Sequence, residues 1–251
     1  MLQLPLSIQL RVDATFDNFY VSSVNTLVVD ALRYFVEQDD ETYFYLWGAS
    51  GSGVSHLLQA AQHLISHQAQ NQQHRSAMTT KTIQYLPLAS ILDANDALNT
   101  NAYTPEEVLS GLEYLDMVVI DDIQCLAGKP LWEQGMFHCF NRLRDSGKKL
   151  LIGGDVSPKH LEVTLPDLHS RLQWGVTYQL QSLDDASKKQ ALHLRAKGMG
   201  LSLSEDTVQF LLNHCSRDTA HLMEQLQQLD QACLIEKRPV TIPFVKQVLG
   251  V

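Results

Sequence analysis

A chain of 251 residues, 45% of them hydrophobic, carries enough apolar material for one large domain or two modest ones. Its 19 Lys and Arg stand against 28 Asp and Glu, a formal net charge of -9. That balance speaks against a surface given over to nucleic-acid phosphates, although it does not exclude local basic patches. No apolar run approaches the roughly 20 residues of a membrane helix. No basic stretch followed by an apolar core opens the chain. A cytoplasmic, non-membrane protein is therefore expected. The cysteines Cys125, Cys139, Cys215 and Cys233 form no C-x-x-C pair, which points to reduced thiols rather than disulfides or zinc. No internal repeat is visible.

Residues 1–12 read M-L-Q-L-P-L-S-I-Q-L-R-V. Pro5 is unsuited to a helix interior. Leu4, Leu6 and Ile8 alternate with Pro5 and Ser7, so an extended segment would show an apolar face. Such a segment suits an edge strand on its own domain or a peptide inserted into another protein's groove. Next, D-A-T-F-D-N-F at Asp13–Phe19 is turn-like, with Phe16 and Phe19 as aromatic anchors. A helix is expected over about Ser23–Gln38, capped by Ser22 or Ser23. Val24, Leu27, Val28, Leu32 and Phe35 form its apolar stripe.

The apolar run Tyr43–Trp47 then leads into Gly48-Ala49-Ser50-Gly51-Ser52-Gly53-Val54-Ser55 and on to His56 and a helical stretch reaching about His67. Strand, glycine-rich turn and helix is the context of a phosphate-binding P-loop. Gly48, Gly53 and Ser55 fit its spacing, but Val54 stands where the motif has Lys. Glycines still let backbone N–H groups approach phosphate oxygens, and the helix N-terminus still adds partial positive charge. The lost group is the ammonium that reaches the outer phosphates. A loop of this kind is expected to bind a nucleotide as its diphosphate and to hydrolyse poorly in cis.

The polar segment after His67 reads as a surface loop. Thr82–Leu86 is a second strand, followed by a helix of about Ala89–Leu98. Another helix begins at Thr104, with Pro105 at its first position and Glu107 at its third. The run Leu115–Ile120 has the continuous apolar character of a strand buried on both faces, and it ends in Asp121-Asp122. Ligands bind beyond the carboxyl ends of such strands. Asp121 is therefore the candidate for a Mg²⁺ side together with Ser55, and Asp122 for orienting water. A helix over Pro130–Ser146 precedes a fourth strand, Lys149–Asp155, which puts Asp155 beside the outer phosphate. Pro166–Leu172 is a short helix bearing Arg171, and Val176–Leu180 is a fifth strand. From about Leu183 only helices fit: Asp184–Lys197, Ser204–Cys215, Asp218–Glu236 and Ile242–Leu249.

The P-loop, the paired aspartates, the polar strand end, the arginine helix and the helical tail together resemble the AAA+ superfamily. V-V-I-D-D-I-Q at Val118–Gln124, T-F-D-N-F at Thr15–Phe19 and S-R-L-Q-W-G at Ser170–Gly175 are similar to the bacterial initiator DnaA. No segment is left over for that initiator's DNA-binding domain, and the nearer resemblance is to the Hda family of DnaA-homologous regulators. The resemblance implies an α/β fold: an AAA+ P-loop domain with a five-stranded parallel sheet over residues 13–181, then a small all-α lid over 182–251. It implies that residues 1–12 form a clamp-binding peptide, with Gln3, Leu4, Leu6 and Ile8 meeting the sliding clamp of DNA polymerase III. DnaA is the implied partner, without sequence-specific DNA binding, and a homodimer or higher oligomer is compatible with it. Arg171 becomes an arginine finger offered in trans. The bound nucleotide becomes a structural ADP, with its base between Tyr20-Val21 and the lid. A lid arginine is expected near the start of the Asp218–Glu236 helix, where Ala220 stands, with Arg217 nearly one turn away. Three other readings make different demands. A helicase loader or a small-molecule kinase would call for an intact Lys at position 54. A non-catalytic clamp adaptor would make Arg171 dispensable.

Overall fold

A computed structural model describes residues 14–72, 81–98, 103–215 and 218–251. Gln3, Leu4, Leu6, Ile8 and Arg217 lie outside the described residues.

Five strands form one all-parallel sheet: β1 (Tyr43–Trp47), β2 (Ile83–Pro87), β3 (Met117–Asp121), β4 (Lys149–Gly154) and β5 (Val176–Gln179). Their order is β2-β3-β4-β1-β5. The central β3 and β4 are buried at every position, as their continuous apolar runs require. At the edge, β5 alternates half-buried and exposed residues.

Ten α-helices accompany the sheet among the described residues: α1 (Thr26–Glu37), α2 (Val54–Gln72), α3 (Leu88–Leu98), α4 (Pro105–Leu109), α5 (Pro130–Asp145), α6 (Pro166–Leu172), α7 (Asp185–Gly198), α8 (Glu205–His214), α9 (Thr219–Glu236) and α10 (Ile242–Leu249). Alternate strand residues feed two cores. Tyr45, Val118, Ile120 and Ile152 pack with Ile91, Leu109, Met136, Phe140 and Leu168 on one face. Phe44, Leu46, Val119 and Leu151 pack with Val28, Leu32, Phe35, Leu57 and Leu58 on the other. The last four helices close around their own core of Leu192, Val208, Leu211, Leu226, Leu229 and Phe244. The fold is the expected one: a five-stranded parallel AAA+ sheet with helices on both faces, followed by a helical lid.

Several local expectations shift. The N-cap of α1 is Asn25 rather than Ser22 or Ser23, and its side chain makes no cap bond. It reaches instead across the chain, donating to Gln181 O at 2.8 Å and accepting from Gln181 N at 2.9 Å. The apolar stripe of α1 is rotated: Val24 and Leu27 are exposed, while Val28, Val29, Leu32, Phe35 and Val36 are buried. Helix α2 runs on to Gln72, into the stretch expected to be loop. The α4 start is as expected. The Thr104 hydroxyl accepts from Glu107 N, and the Glu107 carboxylate accepts from Thr104 N, a reciprocal cap.

Candidate functional site

The strand register brings Trp47 beside Gly154 and Pro87 beside Asp121. The loops after β1, β3 and β4 therefore open at one edge of the sheet. That edge is where the P-loop segment, the paired aspartates and Asp155 meet.

Between Trp47 and α2 the chain folds into a cradle. Gly51 and Gly53 take φ of 76° and 103°, values that side chains with a Cβ rarely adopt. At Gly53 a Cβ would also come within 2.6 Å of the Phe19 ring. Leu57 N donates to Gly53 O at 3.1 Å, so the N–H groups of the first turn of α2 precede its hydrogen-bond ladder. That turn carries no acidic residue. A helix N-terminus of this kind is a ready site for an anion.

Gly48, Ala49, Ser50, Gly51, Ser52, Gly53, Val54, Ser55 and His56 line a cavity of about 410 Å³. Asp121, Asp122, Gln124, Asp155 and Tyr20 also line it. From the lid come Leu183, Ala191, Arg195, Thr219, Ala220 and Met223. Such a volume suits a small organic ligand. Val21 is not among the lining residues. Its neighbours Asn18 and Phe19 are, and Phe19 packs against the His56 ring with centroids 5.4 Å apart. His56 Nε2 lies 2.9 Å from Thr15 O, so the segment before α1 is fastened across the mouth of the P-loop. The lid also reaches that loop: a Cβ on Gly51 would come within 2.9 Å of the Asp218 carboxylate.

The side chain of Val54 belongs to the core. It is 8% exposed and packs in the cluster of Leu57, Leu58, Val119 and Leu151. The position that would supply a phosphate-seeking ammonium in an intact motif is spent on the sheet. Ala220 supplies no charge either. Among the lining residues the one Lys or Arg side chain is Arg195 of α7.

Asp121 is 2% exposed. Tyr85 Oη donates to its Oδ2 at 2.6 Å, Asp122 N donates to its Oδ1 at 2.9 Å, and the Ser55 side chain also hydrogen-bonds to it. Burial pushes its carboxyl up, against the pull of those three donors. Asp122 sits in the left-handed region at φ 58°. Burial, then the neighbouring Asp121 charge, raise its pKa to about 6. Gln124 joins the two strand ends. Its Nε2 donates to Asp122 Oδ1 at 3.2 Å, and its Oε1 accepts from Asp155 N at 3.3 Å.

The glycine cradle, the α2 N-terminus and the cavity fit a nucleotide's phosphates. The Ser55 hydroxyl beside Asp121 would suit a magnesium ion, which would supply charge neutralisation to bound phosphates. Among the described residues no cluster of three or more His, Cys, Asp or Glu side chains could hold a metal unaided. Arg171 lies apart, on α6. It is half-buried, does not line the cavity, and rests against Trp174 with its Cζ 4.4 Å from the ring centroid.

Asn18, Phe19, Gln124 and Arg195 were not singled out as site residues from the sequence. Phe19 and Gln124 fall inside the T-F-D-N-F and V-V-I-D-D-I-Q stretches, which was the available signal. Arg195 follows Ala191 and Leu192 and precedes Ala196, all buried. A lone cation on an apolar helix face was the sign that it serves an interior site.

A family model of the bacterial DnaA ATPase domain matches residues 10–179, and one of the Hda lid domain matches residues 185–249. Domain III of Thermotoga maritima DnaA shares the fold with a TM-score of 0.75 at 24% identity, over 95% of this chain and 96% of that one. AMPPCP-bound DnaA from Aquifex aeolicus gives 0.66 at 22%, over 91% and 68%. The Thermotoga maritima RuvB branch-migration motor gives 0.61 at 13%, over 94% and 71%. No helix among the described residues is long and apolar enough to cross a membrane. The chain belongs to the bacterial DnaA ATPase-domain family and, by its lid, is an Hda-like, DnaA-homologous AAA+ protein.

Proposed function

We propose that this protein is a negative regulator of replication initiation that binds a nucleoside diphosphate for structural reasons and promotes hydrolysis of ATP held by DnaA. The observation that carries the reading is the separation of Arg171 from the chain's own cavity. An arginine serving its own nucleotide would line that cavity. One placed elsewhere, with no internal anion among the described residues, suits a γ-phosphate on a neighbouring molecule. Arginine fingers supplied in trans contribute on the order of 10³–10⁵ in rate by stabilising transition-state charge.

The chain's own nucleotide sits, in this reading, on the cradle of Gly48–Ser55. Its base lies between the Asn18–Tyr20 segment and Leu183, Ala191 and Met223 of the lid. Ser55 and Asp121 hold magnesium when it is bound, and magnesium neutralises phosphate charge there. Asp122 and Asp155 stand at the outer-phosphate end. Core-buried Val54 and uncharged Ala220 leave that end poor in cations, which favours ADP over ATP. Bound nucleotide ties the lid to the sheet and so sets how α6 is presented to a partner. Gln3, Leu4, Leu6 and Ile8 dock the chain on the sliding clamp, so that the regulator acts where DNA is loaded.

Titration calorimetry with ADP and ATP tests the nucleotide half of the proposal. Tighter ADP binding without turnover is the expected result, and tighter ATP binding with turnover would overturn it. Clamp binding is expected to vanish on deletion of residues 1–8 while nucleotide binding persists. Retained clamp binding would remove the docking role from this segment.

A further inference from the structure

The surface around Arg171 is built around an indole. Helix α6 ends at Leu172, and Tyr43, the first residue of β1, donates its hydroxyl to Leu172 O at 2.8 Å. The chain then turns: Trp174 N donates to Arg171 O at 3.0 Å. Gly175 backs so closely onto Tyr43 that a Cβ there would approach the ring to 2.8 Å. A buried tyrosine thus fixes the exit of α6 from beneath and leaves Trp174 on the surface, 47% exposed.

Two guanidinium groups meet this ring. Arg171 Cζ is 4.4 Å from its centroid and Arg144 Cζ is 5.5 Å. Their situations differ. Arg144 donates through Nε and Nη2 to Asp145 Oδ1 at 3.0 and 2.8 Å, so its charge is answered at home. Among the described residues Arg171 has no carboxylate partner and makes no side-chain hydrogen bond. Its recorded contact is the face of Trp174.

We infer that Trp174 is a positioning residue that holds the Arg171 guanidinium ready for an anion on another molecule. This rests on the finger reading given above and adds the element that orients the finger. A ring contact does what a salt bridge cannot. It engages the guanidinium through its face by cation–π attraction and leaves the N–H donors at its edge open for an incoming phosphate. A carboxylate would fix the side chain equally well but would occupy those donors and neutralise the charge. Ordering in advance also lowers the rotamer entropy lost when the arginine engages.

The test compares Trp174→Phe, Trp174→Leu, Arg171→Ala and the Trp174→Leu/Arg171→Ala double variant of the full chain. The readout is the maximal rate, and the half-saturating regulator concentration, for hydrolysis of ATP bound to DnaA. Phe keeps a π face, so it is expected to stay within about threefold of wild type. Leu keeps apolar bulk without the face. It is expected to lower the maximal rate by about 3- to 30-fold, the range that a cation–π contact spans, with little change in half-saturation. In the Arg171→Ala background Trp174→Leu is expected to cost nothing further. Unchanged thermal melting, and a change in acrylamide quenching of the exposed indole on Arg171→Ala, are expected alongside. A Trp174→Leu protein as active as wild type, while Arg171→Ala is inactive, would overturn the role of Trp174 alone. Equal loss with Phe and Leu, or a further loss in the double variant, would also overturn it. Full activity of Arg171→Ala would instead overturn the finger reading beneath it.

Discussion

Glu133 of α5 holds Thr164, two residues before α6, by both of that residue's donors: Glu133 Oε2 accepts from Thr164 N at 2.9 Å and from Thr164 Oγ1 at 2.7 Å. The same oxygen takes Leu165 N at 2.8 Å, and Oε1 takes Gly128 N at 3.0 Å. The carboxylate is fully buried, at 0% exposure. One side chain of the α/β core thereby fixes where the arginine-bearing helix begins.

Replacing Glu133 by Ala takes the acceptor from three backbone N–H groups and a hydroxyl on a segment where Gly128 and Thr164 are exposed and Leu165 is half-buried. The expected cost is about 1–3 kcal/mol in urea unfolding. A Glu133→Gln protein keeps the shape and one acceptor oxygen, and is expected to lose less. A change under about 1 kcal/mol in Glu133→Ala would show that water replaces the carboxylate at that site.

Glu133 also gives a pH dependence. Burial raises its pKa, but the Thr164 hydroxyl and the N–H groups of Thr164, Leu165 and Gly128 outweigh it and hold the carboxyl below its ordinary value of 4.5. A depressed folded-state pKa means stability that is present above the ordinary value and lost as pH falls through the folded one. The stability difference between wild type and Glu133→Gln is therefore expected to be constant at neutral pH and to shrink below about pH 4.

Asp122 has the opposite sign. Its pKa of about 6 lies above the ordinary 3.8, so the folded state favours the protonated carboxyl. That contribution is present at low pH and lost as pH rises through about 6. Asn carries no charge and tolerates the left-handed backbone. Asp122→Asn is expected to stabilise the nucleotide-free protein at about pH 7.5 by on the order of 1 kcal/mol, allowing for solvent screening, and to be neutral below about pH 4. Destabilisation at neutral pH would contradict the cost of ionising Asp122 that burial and the Asp121 charge impose.

Much of this arrangement could be read from the sequence where chemistry and local structure coincide. The apolar run into Asp121-Asp122, the glycines after Trp47 and the Thr104–Glu107 cap all act within a few residues. What could not be read depends on distant partners. Ser22 and Ser23 look like helix caps, but the α1 cap position is Asn25, whose amide is claimed by the backbone of Gln181, far away in the chain. Val24 and Leu27 fit a stripe by spacing alone, yet the helix turns Val28, Val29 and Leu32 to the core. Arg195 reaches the cavity only because the lid folds back over the P-loop.

The P-loop itself can be challenged at Val54. Val54→Lys restores the ammonium of an intact motif at the cost of an apolar side chain from a packed core. Its affinity for ATP relative to ADP is expected to rise by about tenfold, the worth of one charge-assisted hydrogen bond. Melting of the nucleotide-free protein is expected to fall. An unchanged ATP-to-ADP preference would show that the diphosphate choice is made elsewhere in the cavity.

Gly53 offers a sharper geometric check. Gly53→Ala combines a φ of 103° with a Cβ only 2.6 Å from the Phe19 ring. It is expected to abolish nucleotide binding and to destabilise the fold by about 1–3 kcal/mol. Adding Phe19→Ala should recover the part due to the clash and leave the backbone strain. No recovery would mean that the strain alone accounts for the loss.

The most direct measurement is hydrolysis of ATP pre-bound to DnaA, in the presence of clamp-loaded DNA, with wild type, Arg171→Ala and a deletion of residues 1–8 compared side by side. Wild type is expected to accelerate hydrolysis. Arg171→Ala is expected to lose on the order of 10³-fold or more of that acceleration. The deletion is expected to fail on clamp-loaded DNA while its ADP binding persists. Acceleration that survives in Arg171→Ala would contradict a finger supplied in trans, and a wild type that binds the clamp but leaves DnaA's ATP intact would contradict the regulator itself.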